Sequence, residues 1–234
     1  MKNAILLTLL LATASVRAAT VNLSGGLLTI DYSGTALLGL STPNHFTLPD
    51  TNTLTAAQMQ NLATPGNILA ETGLPFVVNT GVIGSPAGRF IQSTTMTYDP
   101  ANLTGTVTGQ AGFAGVTRWN YIFGGGFLLG DYTLEYSGSR AVAPNSGWYL
   151  ENHYGGIEIP TWDLANVTAV INGDNFSLSG DMLISPEFAL GFGLTAGEDR
   201  GNFSFASVPE PSVALLGLSG LALALHRRRQ PGVR

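Results

Sequence analysis

Apolar and polar residues alternate in short runs along most of the chain, the two-residue period of a half-buried β-strand. In Asp131-Tyr132-Thr133-Leu134-Glu135-Tyr136 the alternation puts Tyr132, Leu134 and Tyr136 on one face. Gly201-Asn202-Phe203-Ser204-Phe205 does the same for Phe203 and Phe205. The longest pattern runs from Asn166 to Ser179, where two alternating segments flank Asn172-Gly173. That dipeptide accepts positive φ angles and predicts a hairpin turn. Ser179-Gly180-Asp181 predicts a further turn, leading into Met182 to Ser185. Other strands are predicted at Val21 to Tyr32, Pro75 to Ile83, Phe90 to Tyr98, Leu103 to Thr108, Val116 to Phe123, Gly126 to Tyr136 and Trp148 to Glu151. So many short strands joined by glycine turns predict an all-β fold, a two-sheet β-sandwich or jelly roll of antiparallel strands. One stretch breaks the period. Near residues 50–63, Thr53 or Thr55 can cap a short helical insertion carrying Leu54, Met59 and Leu62, ended before Pro65-Gly66 and covering one end of the sandwich.

Two apolar runs do not alternate, and they lie at opposite ends. Met1-Lys2-Asn3 supplies one positive charge, Ala4 to Ala12 form an apolar core, and Val16-Arg17-Ala18 precedes a cut. This predicts a secretory signal peptide over residues 1–18, with Ala14 and Ala19 as alternative cut positions. At the other end Val208-Pro209-Glu210-Pro211-Ser212 resists helix formation, because each proline fixes φ and lacks an amide donor. Thirteen Leu- and Ala-rich residues, Val213 to Leu225, follow as an apolar helix, shorter than the roughly 20 residues that span a bilayer comfortably. Arg227, Arg228 and Arg229 then stop translocation and stay on the cytoplasmic side, leaving the body across the membrane from the tail.

The motif, the apolar run and the arginine cluster, in this order at the C-terminal end, resemble the PEP-CTERM sorting signal of Gram-negative bacteria. The resemblance covers about a tenth of the chain and departs from the pattern only in the five residues Gln230 to Arg234 that trail the arginines. Together with the N-terminal run and the strand pattern, it divides the chain into three expected regions: a signal peptide at 1–18, a β-sandwich domain at 19–207 and a sorting tail at 208–234. It also implies partners, namely the secretion machinery, signal peptidase and an exosortase-type membrane enzyme that cuts near the Pro-Glu-Pro element. The tail would insert transiently in the inner membrane before the protein passes to the cell surface or extracellular matrix. Val208 to Ser212 are recognition elements in this reading, not catalysts.

Charge changes once both ends are set aside. Residues 19–207 keep four arginines, no lysine and fourteen carboxylates, a net charge of −10 against −5 for the whole chain. Nucleic acid and anionic membrane surfaces would be repelled by such a body. There is no cysteine, which excludes a disulfide framework, a cysteine nucleophile and a thiolate metal site. Glycine, at 30 of 234 residues, suits the many turns.

Candidate chemistry is sparse. His45 and His153, the latter in Glu151-Asn152-His153-Tyr154, lack a metal-protease spacing, and no serine sits in a nucleophile elbow. The carboxylate pairs Glu151 with Glu158 and Asp131 with Glu135 are the glycosidase candidates, the second pair sharing a strand face toward solvent. Oxygen-rich loops at Asn172 to Asn175 and Glu198 to Asn202 could hold calcium but lack the twelve-residue calcium-loop pattern. Trp119, Trp148 and Trp162 each sit beside polar groups and are candidate contacts for a glycan such as exopolysaccharide, or else core residues. No catalytic residue, metal site or cofactor is assigned. The expectation is a structural or adhesive surface protein, with a carbohydrate-binding module as the alternative and a glycan-active enzyme behind it.

Overall fold

The computed structural model describes residues 20–32, 40–46, 53–62, 73–80, 84–121 and 126–209. Strands dominate: β1 (Val21–Tyr32), β2 (Leu40–Phe46), β3 (Leu74–Val77), β4 (Thr97–Tyr98), β5 (Ala111–Gly112), β6 (Val116–Tyr121), β7 (Gly126–Gly130), β8 (Thr133–Tyr136), β9 (Asn145–Asn152), β10 (Ile159–Asn172), β11 (Asn175–Ile184) and β12 (Asp199–Pro209). The helices are α1 (Ala56–Leu62), α2 (Leu103–Thr106) and α3 (Pro186–Phe192). All strand pairs are antiparallel. A nine-stranded sheet runs β3-β1-β12-β11-β10-β9-β8-β5, with β4 also on β1, and a three-stranded sheet runs β2-β6-β7. The large sheet is curled. Register shifts between Leu23 and Gly25 in β1 and between Ala165 and Thr168 in β10 mark bulges, which bend long strands and sharpen their twist. The core is aromatic. Trp119 of β6 meets Tyr32 of β1 edge-on at 5.1 Å and lies 5.8 Å from Trp162 of β10, so the two sheets join through these rings.

Several expected elements change in detail. The Asn166 to Ser179 hairpin forms, but Asn172 pairs with Asn175, so Gly173-Asp174 makes the turn and Gly173 supplies the positive φ of 63°. Ser179-Gly180-Asp181 is no turn; β11 runs straight through it. Gly180 lies against the β10 bulge, where an added Cβ would meet the Ala165 carbonyl oxygen at 2.5 Å. Leu103 to Thr108 is helical at its start, because Asp99 accepts from the Ala101 amide at 2.9 Å and Pro100 opens a 3-10 turn that leads into α2. Only Thr97–Tyr98 of the Phe90 to Tyr98 segment is strand. Gly126 to Tyr136 splits in two at Asp131, whose φ of 47° turns the chain from the small sheet into the large one.

The helical insertion is present as α1, shorter than the 50–63 window. Thr55 and Gln58 cap it reciprocally: the Gln58 amide donates to Thr55 Oγ1 at 3.2 Å and the Thr55 amide to Gln58 Oε1 at 2.8 Å. Its Met59 is fully buried with Val116 and Leu128. α3 is an addition to the predicted elements, capped by Ser185, with Pro186 in its first turn and Gly193 in the left-handed conformation after it. The segments expected to form a signal peptide and a C-terminal apolar helix, with Glu210, Pro211, Ser212, Arg227, Arg228 and Arg229, lie outside the described residues. Among the described residues no helix is long and apolar enough to cross a membrane.

Candidate functional site

The antiparallel pairing of β8 with β9 sets Thr133 opposite Glu151 and Glu135 opposite Tyr149. Alternation sends Leu134, Trp148 and Leu150 into the core and leaves Thr133, Glu135, Tyr149, Glu151 and His153 on the other face. His153 is fixed at the end of this row by its neighbours. Its amide donates to the Gly130 carbonyl at 3.1 Å, while Asn152 accepts from the Gly130 amide at 2.8 Å and donates to the Ile157 carbonyl at 2.7 Å.

Side chains on this face converge. Glu135 accepts from Thr133 Oγ1 at 2.7 Å and from the Tyr149 hydroxyl at 2.8 Å, which locks both of its oxygens. The ring of His153, buried, sets Nε2 3.1 Å from Thr133 Oγ1 and 3.7 Å from Glu151 Oε2. One ligand atom from each of Glu135, Glu151 and His153 lies within 4.8 Å of the others. Beside them Arg140 covers the Tyr149 ring at 4.9 Å and is engaged elsewhere, with Asp163 at 2.7 Å and Glu187 of α3 at 2.6 Å.

Two carboxyl groups side by side, partly out of water, disfavour a double negative charge. Burial is the main cause that pushes Glu151 up to about 7, and the Glu135 carboxylate with its hydrogen bond and the charge of Glu158 add to it; Arg140 opposes. Burial moves His153 the other way, below the usual imidazole value, against the pull of Glu158, Glu135 and Asp131. Burial likewise raises Tyr149, with Glu135 adding to it. Glu187, in contrast, sits below the usual carboxylate range because Arg140 hydrogen-bonds it. Near neutral pH Glu151 therefore takes up a proton readily, and the donor set of two carboxylates and one imidazole suits a divalent cation.

Other sequence candidates are scattered. Asp131 does not share a solvent face with Glu135; it is buried at the sheet corner, bridged to Arg89 through Nε at 2.9 Å and a second guanidinium nitrogen. Glu158 is exposed, and its charge reaches Glu151 without forming an ion pair among the described residues. Trp119, Trp148 and Trp162 are 1%, 2% and 0% exposed, so none offers the open stacking surface a glycan needs. They fill the core because large rings contribute most there. The side chain of His45 lies outside the described residues, as do Glu210, Pro211 and Ser212 of the expected sorting motif. Val208 is exposed near the end of β12, where it pairs with Gly25 of β1, and Pro209 ends that strand. Glu135 with Glu151 and His153 was missed as a trio, because only the pairing of β8 with β9 brings Glu135 beside residues sixteen and eighteen positions further on. The alternation within each strand was the available signal.

No protein-family model matches the chain, and no curated protein matches it. Among solved structures it is similar to the C-terminal domain of HtaA from Corynebacterium glutamicum, at 12% identity and a TM-score of 0.45, over 81% of this chain and 99% of that one.

Proposed function

We propose that the chain is a secreted, surface-sorted β protein, a structural or adhesive component of the cell envelope or extracellular polysaccharide matrix of a Gram-negative bacterium. Its C-terminal segment is the substrate of an exosortase-type membrane enzyme. One observation carries the reading: Val208 to Ser212, the apolar Val213 to Leu225 and Arg227 to Arg229 follow one another in that order directly after the folded body. Support comes from the register of β1 against β12, in which Leu23 pairs with Pro209. The start of the first strand and the end of the last lie side by side, so both expected junctions flank the sheet. Cutting after Ala18 and beyond Pro209 would leave every ladder between them intact. With the three tryptophans in the core, no glycan subsite is assigned to them.

The intact mass of the protein recovered from its native host tests this. The expected product lacks residues 1–18 and the segment from Val213 to Arg234, with the second cut within Val208 to Ser212. Replacing Pro209, Glu210 and Pro211 together by alanine should hold the precursor in the inner membrane. A native product that keeps its apolar tail, or normal release of the triple variant, would sink the proposal.

A further inference from the structure

We infer that Glu135, Glu151 and His153 form a binding site for one divalent transition-metal ion, zinc being the best match to the donor set. The inference is independent of the sorting signal and concerns only the folded body.

Three potential ligand atoms lie within 4.8 Å of one another, and the Glu151 oxygen and His153 Nε2 are already at 3.7 Å. Around a tetrahedral zinc with bonds of about 2.0–2.2 Å, ligand atoms sit about 3.4 Å apart. Closing the remaining gap takes a side-chain shift of about 1 Å, which falls to Glu151 because Thr133 and Tyr149 hold Glu135. The ligands also come from adjacent strands of one sheet, a rigid support that places them more reliably than a loop would.

His153 is an independent pointer. It is 5% exposed, its Nδ1 has no hydrogen-bond partner among the described residues, and its Nε2 faces the carboxylates. Thr133 gives its one proton to Glu135 at 2.7 Å, so its oxygen accepts from His153 Nε2–H at 3.1 Å, and that proton is the one a metal ion would displace. At 3.7 Å Glu151 is beyond hydrogen-bond reach. A buried imidazole thus ends among oxygen atoms without a close polar contact to either glutamate.

Charge completes the case. Two carboxylates and the nearby Glu158 concentrate negative potential here, while Arg140, whose charge reaches Glu151, already bridges Asp163 and Glu187. A cation is the missing counter-charge. The imidazole decides which cation: calcium and magnesium take oxygen ligands, whereas a nitrogen with carboxylates suits zinc and its neighbours. Glu135 is oriented by Thr133 and Tyr149, the kind of outer contact that fixes a metal ligand. Three protein ligands leave at least one position for water, reached from the partly exposed side of Glu151.

Zinc titrated calorimetrically into the full chain in detergent micelles, after treatment with a chelator, should show one equivalent bound. Glu135→Gln, Glu151→Gln and His153→Gln should each weaken that step at least about tenfold, the lower end of what losing even an outer contact of a metal site costs. Cobalt(II) added instead should give visible d–d bands that disappear in His153→Gln. Far-UV circular dichroism checks that each variant is folded; if His153→Gln is not, the two isosteric glutamine variants carry the test. No saturable zinc uptake, equal uptake by the wild type and the folded variants, or displacement of zinc by equimolar calcium would overturn the inference.

Discussion

Replacing Arg89 by methionine should cost about 3–5 kcal/mol of stability near neutral pH, the range for stranding one member of a buried ion pair. Both side chains of the Arg89 and Asp131 bridge are fully buried. Asp131 also accepts from the Gly115 amide at 3.2 Å, and Arg89 donates to the Leu54 carbonyl at 3.2 Å, so the bridge ties the corner between β7 and β8 to the segment before α1. In Arg89→Met the carboxylate keeps Gly115 and loses its counter-charge. Burial already pushes Asp131 up and Arg89 opposes it, so removing the arginine raises the carboxyl further. The folded variant then binds a proton that the unfolded chain releases near pH ~4. Its stability is fully present below that pH and declines as pH rises through the raised value, so the cost is small near pH ~4 and largest above neutrality. Asp131→Asn keeps a residue that tolerates the φ of 47° but strands the guanidinium, with a similar cost and no such pH dependence. The double variant should be milder than the sum of the two by about 2 kcal/mol or more. Urea unfolding followed by fluorescence of the buried tryptophans, at several pH values, measures all three. Additive costs, or an Arg89→Met cost that does not change with pH, would refute the reasoning.

Glu151→Gln should change the pH profile of stability in the presence of chelator. The wild-type carboxyl rises to about 7 on folding, so its folded form is favoured below about 4.5 and loses up to about 3 kcal/mol as pH climbs through 7. The glutamine variant should lack that decline, and identical profiles would count against the carboxyl pair. Gly180→Ala should destabilise by about 1–3 kcal/mol, because its methyl group would press on the Ala165 carbonyl oxygen at 2.5 Å. A thermal melt unchanged from wild type would mean that the β10 bulge relaxes freely.

The legible part of the fold was local. Alternation over Asn166 to Ser179 located a real hairpin, and Thr55, one of the two candidate caps, located a real helix start, because both depend on residues within a few positions. Ser185-Pro186-Glu187 with Gly193 carried an equally local helix signal that strand periodicity overshadowed. Glycine misled at Gly180, where the same residue type that permits a turn instead permits close backbone contact across a ladder. Asp131 misled for a related reason: one positive φ ended an alternating run and turned a supposed surface carboxylate inward.

What the sequence by itself determined is what short-range chemistry decides: strand-forming periods, an acidic lysine-free body, and an apolar run bracketed by Pro-Glu-Pro and arginines. Which strands pair was decided only by the tertiary structure. Ladder partners are selected by packing a common core, so a two-residue period says that Glu135 and Glu151 lie outward but not that they lie together. Nor does a tryptophan beside polar neighbours reveal its side of the sheet. Trp119 and Trp162 come from different sheets, and only the closing of one over the other, burying both rings 5.8 Å apart, made them core. Burial is a property of the whole surface removed from water, and no single stretch of chain contains it.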